Sequence, residues 1–462
     1  MAQSTVKVVE LSKVTPEPPP SNPFTLPLTF FDTFWIKLPP VERIFLYHLP
    51  DLSPSTFRTR LLPRLTRSLS FTLRHYLPVA GNLVWPSAAA VPVVLYSPGD
   101  GVSLAVAEST DDFDHISADG DREASDSLPY VPELHASDSA AAILSLQITL
   151  FPNRGFCIGV TSQHGILDGK TQSVFMKAWA HTCRQIVGDG GADFPPPLPE
   201  SLAPVFDRTG IVDSREIAVE YLDDWFRFRL NLPGMDPNPN PRSLELLWSL
   251  VDGDSKRLRA TFDFSKERIK KLKESLIPKF PNPNYLSSFV LTLAHTQVCL
   301  VKAKGIRGGA TMMGGFTADF RSRLEPPAPG NFFGNIVFPY EVALRGEEAG
   351  SEGGVAYAAG KIVEAIKEVE KGPMAGARGR LARFLFPESG QFEVIGVAGS
   401  PRLGMYGVDF GYGGRPRKVE VTSTARTGAI SMAESRDGSG GVEVGIVLSK
   451  EEMDVFRAAF VQ

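Results

Sequence analysis

The sequence predicts a protein of mixed strand and helix, α/β or α+β, built as two domains. Three observations carry that expectation. The chain has 462 residues, more than one simple hydrophobic core usually serves. Strand-like alternation and helix-like four-residue steps follow one another instead of segregating. Between two patterned halves lies GDGGADFPPPLPESLAP, residues 188–204, glycines and then a proline run with nothing to build an element from.

Each element has its own signal. Residues 6–14 read as a short strand, and TPEPPPSNP after them runs extended. Leu61, Leu65, Leu69 and Leu73 mark an amphipathic helix over Phe57–His75, stopped by Pro78 and Gly81. Residues 108–140 are acidic and poor in apolar side chains, and are expected to form an exposed loop. Leu144, Leu146, Ile148 and Leu150 alternate, Pro152–Gly155 turns, and Phe156, Ile158 and Val160 alternate again, which is a hairpin. Its second strand runs into His164, and helical spacing returns after Gly169. In the second half, Leu258–Phe264 is a strand, Ser265 an N-cap and Lys266–Leu276 a helix. Leu286–Lys302 is a long apolar helix, and two strands frame the Gly-rich segment 407–416. No repeat of fixed period occurs.

Composition narrows the class. The 48 Lys+Arg against 52 Asp+Glu give a net charge of -4, which argues against a nucleic-acid partner. Three cysteines, Cys157, Cys183 and Cys299, make no disulfide framework and point to a reducing compartment. The opening MAQSTVKVVELSKV has no apolar core of a signal peptide, and no run approaches the ~20 apolar residues of a membrane helix. A soluble cytosolic protein without membrane contact is the expectation. The 38 prolines and 42 glycines imply many turns and long connecting loops.

Chemistry turns on seven histidines. H-x-x-x-D-G occurs twice, at His115–Asp119–Gly120 and His164–Asp168–Gly169. So short a pattern is weak alone, and context separates the copies. His115 sits among Asp111, Asp112, Asp114 and Asp119, whose negative charge makes for a poor base. His164 stands where an apolar strand ends and a Gly-flanked loop begins, a place suited to catalysis and equally to a strand-end histidine satisfied by backbone. His295 and Cys299 share a helix face and read as a packed core pair, with no third metal ligand nearby. Cys157, seven residues before His164, faces the other way by strand alternation. With no G-x-S-x-G, H-E-x-x-H or Walker loop, and no G-x-G-x-x-G after a strand, neither metal, covalent nor dinucleotide chemistry has visible apparatus. A lone His still suffices to deprotonate a hydroxyl or amine attacking an activated acyl donor. Asp168 reads best as a carboxylate pinning the loop.

Four ordered stretches then resemble the BAHD acyltransferases, coenzyme-A-dependent transferases of plants. They are His164-Gly-Ile-Leu-Asp168-Gly169 for H-x-x-x-D-G, and Asp409-Phe-Gly-Tyr-Gly413 for D-F-G-W-G. Asp319–Asn335 stands for the arginine–proline segment and Y-F-G-N-C box, and Leu65–Leu83 for the first long helix and its P-L-A-G turn. Gln163 stands where many members carry a second histidine, Tyr412 replaces Trp, and Gly414 is an extra residue. Phe332 and Ile336 replace Tyr and Cys. SPRLGMYGVDFGYG, with TGAISMAESRDGSGGVEVGIVL, is similar to the clade acylating anthocyanin and phenolic glucosides.

The resemblance implies an α/β fold of two similar chloramphenicol-acetyltransferase-like domains, each a mixed sheet flanked by helices. Residues 1–187 form the first, 188–215 the crossover and 216–462 the second, with the active site in a channel between them. It implies a catalytic set of His164, Asp168 and Asp409, with His164 as general base. Glycines around Asp409-Phe410 read physically as a tight turn, which favours structural support over proton transfer there. Arg321 is the expected partner of Asp168, and Gly169, Phe410, Gly411 and Gly413 the expected framework. Arg402 is expected to grip a carboxylate of acceptor or malonyl donor, beside Ser400, or to be a plain surface arginine. Ser265 and Lys266 are candidates for the CoA phosphates, and residues 35–44 for the acceptor pocket. The implied activity is malonyl transfer from malonyl-CoA, a co-substrate, to a sugar hydroxyl of a phenolic, flavonoid or anthocyanin glucoside. It would be carried out by a monomer with no bound cofactor or metal. The alternatives are a hydroxycinnamoyl-CoA O- or N-transferase and a catalytically silent binding protein on the same fold.

Overall fold

The computed structural model describes residues 5–186, 197–232, 238–247, 256–386 and 394–461. Strands Val6–Val14, Val102–Ser109, Leu144–Phe151, Gly155–Ser162, Val41–His48 and Lys418–Val421 lie side by side in that order in a six-stranded sheet. Only Val102–Ser109 and Leu144–Phe151 run parallel. The hairpin holds the expected register, Phe151 opposite Gly155 and Leu144 opposite Ser162, and Asn153 takes φ 60° at its turn. Both its strands are wholly buried, because the sheet is covered on both faces.

The second half builds a five-stranded sheet in the order Val397–Ala398, Ile430–Glu434, Val442–Leu448, Leu258–Phe264 and Arg122–Glu123. Its helix Lys266–Leu276 has the expected Ser265 cap, and the long apolar helix is Ser288–Ala303. The two sheets trade strands. Lys418–Val421, late in the chain, pairs with Val41–His48 of the first half. Arg122–Glu123, early in the chain, pairs with Leu258–Phe264 of the second. Two further sheets, of three and four strands, complete the molecule.

Two stretches differ from the sequence expectation. The helix expected over Phe57–His75 opens as a wider turn over Phe57–Leu61 and becomes regular at Leu62–His75, where Pro63 lies in its first turn. Residues 108–140 are not simply an exposed loop. Phe113, Ile116 and Tyr130 are buried with Ile44, Leu46, Phe151 and Cys157 on the sheet face opposite the main core. Few apolar residues at irregular spacing leave no periodic signal, yet these three cover a sheet face. Of the segment 188–204, residues 188–196 lie outside the described residues, and 197–204 carry a short turn at Glu200–Leu202. No helix among the described residues is long and apolar enough to cross a membrane.

Candidate active site

His164 is carried two residues past the end of strand Gly155–Ser162, on a tight turn. Gln163 organises that turn. Its Nε2 donates to Ile36 O at 3.3 Å and its Oε1 accepts from Gly165 N at 3.2 Å. Gly165 has no room for a side chain, since a Cβ there would stand 2.7 Å from Ile36 Cα. The His164 ring is half-buried and stacks on Trp35, centroids 4.5 Å apart and planes within 5°. Burial holds its pKa below the ordinary 6.5, against the opposing pull of its own backbone and of Asp168. Burial thus favours the neutral form of the ring.

Asp168 ends the turn as N-cap of helix Gly169–Gln185, its Oδ1 accepting from Thr171 N at 2.8 Å. Its Oδ2 meets Arg321 Nη1 at 2.8 Å and accepts from Ile336 N at 3.4 Å. Arg321 Nη2 in turn donates to Gly334 O at 3.1 Å. The carboxylate is thus engaged with the arginine and the Phe332–Ile336 box. The structure joins His164, Asp168, Gly169 and Arg321 in one place.

The loop carrying Ser400 and Arg402 packs against the start of the same helix. Ser173 Oγ and Lys177 Nζ donate to Leu403 O at 2.6 and 2.5 Å, and a Cβ on Gly169 would stand 3.0 Å from Leu403 Cδ1. Arg402 is exposed, and Ser400 is half-buried with its Oγ accepting from Arg402 N at 3.3 Å.

Asp409 sits apart from this group. Its carbonyl accepts from Arg184, in the last turn of the helix that Asp168 begins. Sixteen residues of helix separate those ends by roughly 24 Å. Asp409 Oδ1 accepts from Gly411 N at 2.7 Å, closing a tight turn. Gly411, Gly413 and Gly414 take φ of 82°, 72° and 77°, and a Cβ on Gly413 would stand 2.6 Å from His48 O. Phe410 packs edge-on against Trp179 at 4.8 Å, and Arg64 lies over the Tyr412 ring at 5.2 Å. Asp409 thus lies at the far end of the helix that Asp168 begins, apart from the His164 turn.

Ser265 caps its helix through Arg268 N at 3.3 Å, and Lys266 is exposed beside Gly440. No hydrogen bond among the described residues joins either to the His164 turn. The second H-x-x-x-D-G is dispersed, with His115 facing Asp126 at 3.4 Å and Asp119 bound by Lys418 and Arg436 at 2.5 and 2.6 Å. His295 Nε2 lies 3.1 Å from Phe460 O and 3.7 Å from Cys299 Sγ, inside a core lined by Phe264. Burial pushes the thiols of Cys183 and Cys299 up to about 11 and about 12. Cys157 packs with Phe113, Ile116 and Tyr130 on the sheet face opposite the main core.

Two residues near His164, Asp32 and Asn335, had no role of their own in the sequence reading, and Trp35 was expected only as part of the 35–44 acceptor pocket. Asp32, fully buried, accepts from Thr29 N and Oγ1 at 2.8 Å, from Arg208 Nη1 at 2.5 Å and from Asn335 N at 2.9 Å. Asn335 Nδ2 donates to His164 O at 3.1 Å. Trp35 closes the same short helix, Phe30–Trp35, and its Nε1 donates to Val337 O at 3.1 Å. The Thr-x-x-Asp capping box at Thr29–Asp32 was the available signal for the helix, though not for its contact with the base. Of residues 35–44, Trp35 reaches the base. Arg43 is buried against Gln172 instead.

A model of the Transferase family matches residues 4–462. Phenolic glucoside malonyltransferase 1 of Arabidopsis thaliana is 41% identical, over 98% of this chain and 96% of its own. Malonyl-CoA:anthocyanidin 5-O-glucoside-6''-O-malonyltransferase of the same plant is 40% identical, over 99% and 98%. Among solved structures, vinorine synthase superposes with a TM-score of 0.69 at 21% identity, over 97% of this chain and 96% of that one. A family match over residues 4–462, with relatives 41% and 40% identical over nearly the whole chain, places this chain in the Transferase family, the BAHD acyltransferases.

Proposed function

We propose that the enzyme transfers a malonyl group from malonyl-CoA to a sugar hydroxyl of a phenolic glucoside, flavonoid and anthocyanin glucosides included. His164 acts as general base, and no covalent acyl-enzyme forms. The observation that carries the reading is the half-buried His164 ring stacked on Trp35 at the strand-end turn, its Nδ1 buried and its pKa lowered by burial.

Nε2 takes the hydroxyl proton while the sugar oxygen attacks the thioester carbonyl carbon. The tetrahedral adduct collapses, the C–S bond breaks, and the imidazolium proton passes to the departing CoA thiolate. Asp168, held by Arg321, fixes the turn without touching the proton. Arg402 serves the carboxylate of the malonyl group or of an acceptor, with Ser400 beside it. Ser265 and Lys266 offer a helix N-terminus and a cation to the CoA phosphates. Asp409, Phe410, Gly411 and Gly413 support the far end of the helix.

The same reading makes the molecule a cytosolic monomer of two units, 1–187 and 216–462, joined by 188–215, with the reaction between them. Three buried free cysteines suit a reducing compartment. A donor panel with one phenolic glucoside tests the substrate assignment. Malonyl-CoA should give the highest kcat/KM, and p-coumaroyl-CoA outrunning it would replace this reading with the hydroxycinnamoyl one.

A further inference from the structure

A histidine base needs its ring held so that one nitrogen faces the substrate. In many enzymes a carboxylate hydrogen-bonded to the other nitrogen does this. Here that arrangement is missing. Nδ1 of His164 is buried and meets no carboxylate or other side chain among the described residues, the backbone group that acts on the ring being its own. Asp168 is occupied by Arg321, Thr171 and Ile336. The ring is held by its face, against the Trp35 indole lying parallel at 4.5 Å. That indole cannot tilt freely, because Trp35 is 5% exposed and its Nε1 is tied to Val337 O at 3.1 Å. The same short helix grips the backbone of the base. Asp32 Oδ1 accepts from Asn335 Nδ2 at 3.2 Å, and that amide donates to His164 O at 3.1 Å. One end of Phe30–Trp35 thus fixes the His164 ring and its middle fixes the His164 carbonyl.

We propose that Trp35 is a positioning residue for the reaction, holding the His164 ring by stacking in the orientation that presents Nε2, with Asp32 and Asn335 anchoring the backbone beneath. This rests on His164 being the base. Stacking suits the task for a physical reason. A parallel indole restrains the ring plane without giving Nδ1 a charged partner, so the imidazole stays neutral at rest. The charged groups around the turn are already matched, Asp168 with Arg321 and Asp32 with Arg208.

Steady-state kinetics with malonyl-CoA and a phenolic glucoside, run on Trp35→Leu, Trp35→Phe and His164→Ala, test it. Trp35→Leu should lower kcat about a hundredfold, the scale of a misplaced catalytic group, with the KM for malonyl-CoA little changed. Its acid limb should move toward higher pH as water reaches the ring. Trp35→Phe keeps an aromatic face and should stay within about fivefold of the parent. A fluorescence titration needs no activity. Imidazolium stacked on indole quenches emission, so the parent should show a transition at the pH of the acid limb that vanishes in both Trp35→Phe and His164→Gln. Parent-like kcat and acid limb in Trp35→Leu, or equal losses in the Phe and Leu variants, would overturn the proposal. A fluorescence transition surviving in His164→Gln would also overturn it. An active His164→Ala would instead overturn the base assignment, which keeps the two failures distinct.

Discussion

At the scale of single residues, the division of labour between the two motif aspartates is the most testable feature. Asp168 is buried in an ion pair with Arg321, and removing one partner of such a pair leaves an uncompensated charge. Asp168→Ala and Arg321→Ala should each lose about 3–5 kcal/mol of stability, and the double variant less than their sum, in denaturant unfolding. Asp409 closes a turn, and on the proposed supporting role Asp409→Asn, whose amide oxygen still accepts from Gly411 N, should keep kcat within about tenfold. A thousandfold loss would make Asp409 a participant in proton transfer. The base role proposed for His164 fixes the pH dependence. Protonated His164 cannot accept a proton, so kcat/KM should fall with falling pH, with a midpoint below the ordinary 6.5. A midpoint above it would contradict a base held neutral by burial.

At the scale of elements, the sequence spoke most clearly where periodicity and caps coincide. The hairpin, Ser265 with its helix, and the apolar helix ending at Ala303 were all legible, because each has a repeating apolar face or a capping side chain. The turn that carries His164 and Asp168 was legible because a strand ends at Ser162 and a helix begins at Gly169, seven positions on. The cover formed by Phe113, Ile116 and Tyr130 was not, since its three anchors share no period. Nor was the Trp35–His164 stack, a contact between residues 129 positions apart that nothing local specifies. The glycines of 411–414 show the same limit, because chain order reveals a turn but not what presses on it. Gly413→Ala should lower the thermal midpoint clearly, as its Cβ would strike His48 O and its φ is 72°. Gly414→Ala, with a similar φ but open space, should cost about 1–2 kcal/mol from strain alone.

At the scale of the whole molecule, the traded strands bind the halves together. Glu420, on the strand lent to the first sheet, is buried against Arg122, from the strand lent to the second, and against Arg259 at 3.3 Å. Burial alone would raise the Glu420 pKa, yet Arg259, Arg122 and Lys418 hold it below the ordinary carboxylate value. A depressed carboxylate contributes stability at neutral pH that is lost as pH falls through its folded value. Glu420→Gln should therefore lower stability at pH 7, and the gap from the parent should narrow in acid. A constant gap would remove Glu420 from the linkage. Each half also completes the other's sheet, so neither is expected to fold alone when the chain is cut within 188–204.

These scales meet at His164, where a strand end, a capped helix and an aromatic wall converge on one imidazole. The most direct test of the account is kcat/KM for malonyl-CoA with a phenolic glucoside in His164→Ala, beside unfolding curves showing the variant folded. Loss of the ring should cost about 10²–10⁴-fold, the contribution of a general base, while stability stays near the parent. A folded His164→Ala that turns over within about tenfold of the parent would contradict the account at its centre.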